Sequence, residues 1–485
     1  MTVEFDPMTL AIFMPLLGAI AAFLLPRVAA FIGLVTLVLT AAVVVLLARE
    51  VLSEGAIILP LGGWGAPLGI DLRADGLSVA MLALTCIVGF LVSLAALDSL
   101  KGDAQARQRQ YFWPLWLLLL TGMNGVYLST DIFNLYVMIE IIALAAVGLT
   151  VLSGSKAALR AGLEYMYASI LGALLFLMGV GFIYLQLGRL DFAGLINADS
   201  SLALSAALAL MIIGMFLKTA LFPLHFWLPA AHANATAPAS ALLSGLVVKA
   251  ALYIFLRLTT YMPLPDEILV TLIGILGAGA VVWGGIQALR AERLKMLVAW
   301  STVVQIGLIF VAFARAGQVG LAESWKAAAL LILAHGVAKA AMFLSAGRIK
   351  DEIGHDLIRD LDRSSVRPTL AQFTFALAAI SLIGLPPSLG FIGKWSLMEG
   401  AMAAGYWHWI AVTMAGTLMS IAYFSRVFAG FLRFDRVRTP VTEHQGWAYA
   451  DAAPLTLAAG AIALGFFAAP ILSFIEIGYP FGVAP

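Results

Sequence analysis

About fourteen apolar stretches follow one another through this 485-residue chain, each near the roughly 20 residues that an α-helix needs to cross hydrocarbon. No other feature constrains the fold as much. Inside a bilayer the backbone must satisfy its own hydrogen bonds, so such a chain is expected to be an all-α polytopic membrane protein. Composition agrees, with 62% hydrophobic and only 11% charged residues. A net charge of +1 offers no basic face to nucleic acid, which is not an expected partner. Cys86 is the lone cysteine, so no internal disulfide and no thiolate cage for zinc or an iron–sulfur cluster can form within the chain. No metal site and no cofactor is expected; redox chemistry, where involved, would belong to another subunit. The acidic start MTVEFDPM is unlike a basic signal peptide, and the first helix is expected to stay as an anchor.

Two of the stretches, 203–232 and 369–399, run to about 30 residues and carry breakers: Pro223 and Pro229 in one, Gly384, Pro386, Pro387, Gly390 and Gly393 in the other. At 1.5 Å per residue an unbroken helix of that length overshoots the hydrocarbon, so both are expected to be discontinuous. They lie five spans apart, which suggests two five-helix units; five is odd, so the second unit would be inverted relative to the first. The expected division is 1–111 (three helices and an external loop), 112–260 (first repeat, helices 4–8), 261–432 (second repeat, helices 9–13) and 433–485 (a loop and helix 14).

Loop charges set an orientation. Arg27, Lys101, Arg107, Arg109, Lys156, Arg160, Arg290, Arg293, Lys295, Arg348, Lys350, Arg359, Arg363, Arg367, Arg433, Arg436 and Arg438 fall on one side, about 17 against about 5 on the other. The bias places the first side in the cytoplasm and both termini outside a plasma membrane. In the cytoplasmic loop GRIKDEIGHDLIRDLDRSSVRP, the spacing of Ile349, Ile353, Leu357 and Leu361 predicts a short amphipathic surface helix. The loop between Arg49 and Ala74, rich in glycine and proline, is expected to form a small hairpin.

The informative residues are charges within spans. Glu140 lies in DIFNLYVMIEIIAL, Lys218 and Lys249 flank the first break, His335 and Lys339 share a helix face at i,i+4, and Lys394 follows the second break. Burial drives a carboxylate and a lysine toward their neutral forms, and mutual proximity drives both toward charge, so a buried Glu/Lys pair sits near a switching point. That is the chemistry of a proton relay, and intramembrane ionisable residues mark ion pathways. The alternative is that such charges only pair and lock packing; one or two on each of several helices favour the relay. His225, His232 and Glu164 are candidates for a water path, although each histidine fits a structural role equally well. Asp131 and Asp75 read as helix caps, and Ser240, Ser244 and Gly245 as positions of close helix packing.

The runs FPLHFWLPAAHANATAPASALLSGLVVKAALY, DIFNLYVMIEI, KMLVAWSTVVQIG, HGVAKAAMFLSAG and GLPPSLGFIGKW occur over about residues 70–430. They resemble the antiporter-like subunits shared by Mrp-type sodium/proton antiporters and respiratory complex I, and DIFNLYV and SALLSGLVVK look most like the D-type subunits of Mrp antiporters. The resemblance implies fourteen helices with inverted five-helix repeats. By motif it makes Glu140 and Lys218 the switching pair of one half-channel, Lys249 the next station, His335 and Lys339 the central link, and Lys394 the terminal group. It also implies other membrane subunits as partners and protons, with sodium, as cargo. Where relatives commonly read LPDAHAEAPTPVSA, this chain has Ala230, Asn234 and Thr236, which removes two acids and one proline beside the break. The expected function is the proton-translocating subunit of a multisubunit sodium/proton antiporter, a secondary transporter subunit and not an enzyme. The rivals are the corresponding pumping subunit of NADH–quinone oxidoreductase or a membrane-bound hydrogenase, and a scaffold whose charges only hold partners.

Overall fold

A computed structural model describes residues 6–103, 105–196, 198–199, 201–261, 267–314, 321–363, 369–432 and 449–479. Arg315, Arg367, Arg433, Arg436 and Arg438, together with the loop expected after residue 432, lie outside those residues. The chain is a polytopic helical bundle. Helices α1 (Pro7–Leu24) and α2 (Ala29–Glu54) lead to a two-stranded antiparallel hairpin, β1 (Ile57–Pro60) with β2 (Asp71–Ala74), whose register pairs Ile57 with Ala74. This is the hairpin expected of that loop. Then come α3 (Gly76–Ser99), α4 (Ala106–Leu128), α5 (Ile132–Val151), α6 (Lys156–Leu187), the short α7 (Phe192–Ile196) and α8 (Leu202–Thr219). Past the first break follow α9 (Leu228–Asn234), α10 (Ala237–Leu242), a π-turn (Leu243–Val247) and α11 (Val248–Tyr261). The remainder is α12 (Glu267–Arg290), α13 (Leu294–Phe313), α14 (Leu321–Ile353), α15 (Leu370–Ile383), α16 (Leu389–Ala403), α17 (Trp407–Phe431), α18 (Tyr449–Ala463) and α19 (Ala468–Ile475).

Among the described residues, twelve helical stretches are long and apolar enough to cross a membrane. Two further expected crossings miss that measure for local reasons. Helix α4 carries Trp113, Pro114, Trp116 and Asn124 within its apolar stretch, and the span 369–399 is divided into α15 and α16. Both stretches expected to be discontinuous are broken, the first between Thr219 and Leu228 and the second between Ile383 and Leu389.

Local chemistry accounts for the helix starts. Asp75 accepts from the Ser78 amide at 3.0 Å while Ser78 Oγ accepts from the Asp75 amide at 2.7 Å, a reciprocal capping box. Thr369 and Gln372 repeat the reciprocal box at α15, while Ser155, Ser201 and Ser388 cap α6, α8 and α16 by accepting one amide each. One expectation fails. The stretch from Ile349 to Leu361 is no separate surface helix: α14 runs on through Ile353, Gly354 ends it, and Ile358–Arg363 forms a 3-10 turn. Ile349, Ile358 and Leu361 are buried, because the periodic apolar face belongs to the body of the bundle.

The bundle has a protein-enclosed centre and a lipid-level rim. The apolar windows of Ala237–Tyr261 and Ala322–Ile353 are wholly buried, whereas only 22% of the window in Tyr449–Ile475 is. The two central segments meet at backbone distance, since a β-carbon built on Gly245 would stand 3.2 Å from the Gly336 carbonyl. At one end of the bundle Arg257 of α11 donates to Asp75 and, through Nε, to the Tyr253 hydroxyl at 2.9 Å. Tyr253 donates in turn to the Tyr127 carbonyl at 2.7 Å, and Arg73 donates to Asp75 at 3.2 Å and to the Gly478 carbonyl. This clasp ties α3, α4, α11 and the chain beyond α19 together.

Removing one partner of a buried ion pair strands the other charge, at a cost of about 3–5 kcal/mol. Asp75→Asn keeps a capping oxygen but leaves the buried Arg257 guanidinium without its carboxylate, and is therefore expected to lower the thermal unfolding temperature of the purified protein sharply. Adding Arg257→Met, which removes the stranded cation, is expected to recover part of the loss.

Candidate functional site

The first break sets the geometry around Lys218. Helix α8 ends at Ala220, whose backbone is left-handed (φ 57°), and the chain turns through Pro223 before α9 begins. Trp227 closes the turn by donating Nε1 to the Leu217 carbonyl at 2.9 Å, and its ring stacks on Tyr165 of α6 with centroids 4.1 Å apart. Lys218 is thereby held in the last turn of α8, where a cation complements the carbonyl end of the helix. Its Nζ donates to Glu140 Oε1 of α5 at 2.7 Å and to Ser169 Oγ of α6 at 2.9 Å. The ammonium side is 6% exposed and the carboxylate side 27%, so the pair is closed to its surroundings at one end and open at the other.

Lys249 is fully buried on α11, immediately after the π-turn. No sequence signal announces that turn, and it has a use. The Val248 amide, which a regular α-helix would give to the Ser244 carbonyl, turns to Leu246, and the Lys249 ammonium donates to the Ser244 carbonyl. Ser244 Oγ in turn lies 3.0 Å from Thr302 Oγ1 of α13. The next residue back on α13, Ser301, accepts from the Lys339 ammonium of α14, which also donates to the Val298 carbonyl at 2.8 Å. Two adjacent hydroxyls on α13 thus stand between Lys249 and Lys339. One turn on, Gln305 Nε2 donates to the Leu382 carbonyl at 2.9 Å, and that same carbonyl accepts from Lys394 at 3.1 Å. Lys394 also donates to the Ile383 carbonyl at 2.9 Å, capping the end of α15 where Gly384 (φ 82°) stops the helix.

His335 is buried near Lys249, Lys339 and His232, each of which acts on it electrostatically. Both its ring nitrogens lack a hydrogen-bond partner among the described residues. His232, on α9, packs edge-on against Trp227 and Phe343, and Ser240 donates to its carbonyl at 2.7 Å. Ser240 therefore stitches α9 to α10 by a hydrogen bond, beyond close packing alone. His225 is buried between the rings of Phe222 and Trp300. Glu164 stands apart, half-exposed and paired with Arg160 at 3.1 Å. Asp131 caps α5 by accepting from the Asn134 amide at 2.7 Å. Beside it across a β-bridge, Asp191 is pushed up by partial burial, but the Arg189 guanidinium, at 2.6 and 2.7 Å, holds its carboxyl below the ordinary range.

Several members of the arrangement are not among the residues singled out from the sequence. Arg257, a charge within an expected span and as visible there as the lysines, holds the clasp together. Lys295, which reads as a loop charge, is buried and donates to the Ala235 carbonyl at the α9–α10 junction. Asn234 holds its carbonyl side toward Arg293, whose Nη1 donates to it at 3.3 Å, while Arg293 Nε is bonded to Asp356 at 3.1 Å. Ser301, Thr302 and Gln305 are visible only as part of the run KMLVAWSTVVQIG; their spacing of one and three residues places them along one side of α13.

Proteins to which this chain is similar include components of respiratory complexes and of sodium/proton antiporters. The N-type subunit of the NADH-quinone oxidoreductase of Desulforudis audaxviator is 32% identical over 438 residues, 86% of this chain and 85% of the relative. The D-type subunit of the Na(+)/H(+) antiporter of Bacillus subtilis is 30% identical over 405 residues, 82% of this chain and 81% of the relative. A chain of the membrane-bound sulfane sulfur reductase, an archaeal respiratory membrane complex, superposes with a TM-score of 0.89 at 25% identity, covering 98% of this chain and 97% of that one. Residues 129–420 match the family model described as NADH:quinone oxidoreductase/Mrp antiporter, transmembrane, and these residues hold Glu140 and every lysine of the site. The chain is a member of that family.

Proposed function

We propose that the chain is the D-type, proton-translocating subunit of a multisubunit sodium/proton antiporter. The observation that carries this reading is the ion pair of Lys218 with Glu140, 2.7 Å long, inside membrane-spanning helices beside a broken one. Closed, the pair holds the lysine charged; opened, it leaves a buried ammonium without its anion, which favours release of a proton. The released proton passes toward Lys249 and His335, then Lys339 and Lys394, with Ser244, Thr302, Ser301 and Gln305 supplying oxygens and amide groups between them. His225 and His232 border water at the first break, and Glu164 serves the entry side. Similarity to the D-type antiporter component supports the transported ions and a transporter subunit with other membrane subunits as partners. In this reading the units 112–260 and 261–432 are inverted repeats, flanked by 1–111 and 433–485. The chain sits in the plasma membrane with both termini outside.

A second reading is favoured by the similarity to a component of a quinone oxidoreductase and to a respiratory sulfur reductase. The same relay would then be driven by redox chemistry in partner subunits. Mass spectrometry of the purified complex separates the two: small hydrophobic membrane subunits support the antiporter, and subunits with iron–sulfur or nickel centres support the redox pump.

Glu140→Ala and Lys218→Ala are each expected to reduce sodium-dependent proton exchange in everted vesicles more than about tenfold while the complex still assembles; normal exchange in an assembled variant would sink the proposal. Lys249→Met and Lys394→Met are expected to abolish exchange likewise, whereas a scaffold role predicts normal transport once assembly survives. Ser301→Ala combined with Thr302→Val is expected to slow exchange several-fold without loss of assembly, because the hydroxyls between Lys249 and Lys339 are removed and the volume is nearly kept.

A further inference from the structure

Between α1, α4 and the end of α5 runs a groove of about 870 Å³ that the relay does not use. Ile20 and Phe23 of α1, Leu115 of α4 and Val151 of α5 form apolar walls. Ile20 and Phe23 are 50% and 61% exposed, so the groove opens outward from helices that cross the membrane. Water is not what covers apolar walls at that depth; lipid chains or another protein are.

One end of the groove is different. Arg107 and Tyr111 from the start of α4 line it together with Ser153 and Gly154, just past the end of α5. The three cations preceding and opening α4 have separate fates. Lys101 donates to Asp98, and Arg109 donates to the Leu100 carbonyl at 3.2 Å. Arg107 has neither a hydrogen bond nor an ion pair among the described residues, although it lines the groove. Lys156, exposed at the start of α6 between the lining residues Gly154 and Leu159, adds positive charge at the same end. An apolar slot that ends in a free guanidinium is complementary to one chemistry: a long hydrocarbon chain joined to an anion. A guanidinium suits phosphate oxygens in particular, because its parallel N–H groups bind two of them at once.

We propose that this groove binds an anionic phospholipid, with an acyl chain laid along α1 and α4 and its phosphate-bearing headgroup against Arg107. Basic pockets between membrane helices on the cytoplasmic side take anionic headgroups, and the loop charges assign Arg107 to that side. The site does not depend on which ion the chain transports. It depends only on the groove remaining open in the assembled complex.

The test uses the intact complex, reconstituted with a phosphatidylglycerol that carries a photoactivatable group on its acyl chain, followed by peptide mapping. Labelling is expected on α1 and on the 106–118 segment of α4, and unlabelled phosphatidylglycerol should compete while phosphatidylcholine and inorganic phosphate do not. Arg107→Gln is expected to reduce labelling about fivefold, the equivalent of about 1 kcal/mol for one basic group at an anionic surface. Arg107→Lys should retain most of it, and Leu16→Trp, which fills the groove, should remove labelling with the headgroup site intact. Equal competition by phosphatidylcholine, wild-type labelling of Arg107→Gln, or an unlabelled groove covered by another subunit would each overturn the proposal.

Discussion

A lysine ammonium inside a membrane protein needs oxygen atoms around it, and two irregular places in this bundle, the π-turn and the end of α15, meet that need. Regular helices consume their own carbonyls. Here each buried lysine of the site is met where a helix departs from regularity or offers a hydroxyl. Lys394 takes the carbonyls left over at the end of α15, and Lys249 takes the Ser244 carbonyl inside a π-turn. Lys339 shares the Val298 carbonyl and the Ser301 hydroxyl on α13. Of the four, Lys218 alone has a carboxylate partner among the described residues, and that carboxylate faces partly outward. The asymmetry is chemical: one lysine is met by an anion, and three are met by neutral dipoles.

The fold is legible in the sequence to the extent that hydrocarbon thickness is a ruler. Fourteen apolar lengths, two of them too long and rich in proline or glycine, are enough to locate the spans and both breaks. The lysines are legible because a charge in an apolar run stands out. What is not legible is what those lysines touch. A serine or threonine on an apolar helix normally bonds its own backbone, as Thr150 and Thr413 do here, so Ser301 and Thr302 look no different from them. Their role emerges only when α11 and α14 bring lysines to the same side of α13. Asn234 is a similar case. Its loss of charge relative to the family pattern reads in isolation as a missing acid; beside Arg293, which already has Asp356, an amide is sufficient.

The failed expectation over residues 349–361 has the opposite origin. The apolar period is real, but period alone does not say whether a face is turned to a membrane surface or to a neighbouring helix. Burial of Ile349 and Leu361 decides it. Lys295 misleads for a related reason: three residues past Glu292 and two past Arg293 it looks like part of a charged loop, yet it is already within the first turn of α13 and points its ammonium at Ala235.

The contact between Gly245 and Gly336 has a consequence for motion. Two segments whose apolar windows are wholly buried, and which touch at this point with no side chain between their backbones, have little room to slide or tilt there, since displacement toward each other brings main-chain atoms into collision. Transporters that work by rocking one half against the other need a lubricated plane at their centre, and this molecule has a seam there instead. In the proposed relay, changes of state then fall to the parts that can turn within a fixed frame: lysine stems, the His335 ring and hydroxyl rotors. In mechanical terms that reading asks of the bundle a chassis and not a hinge.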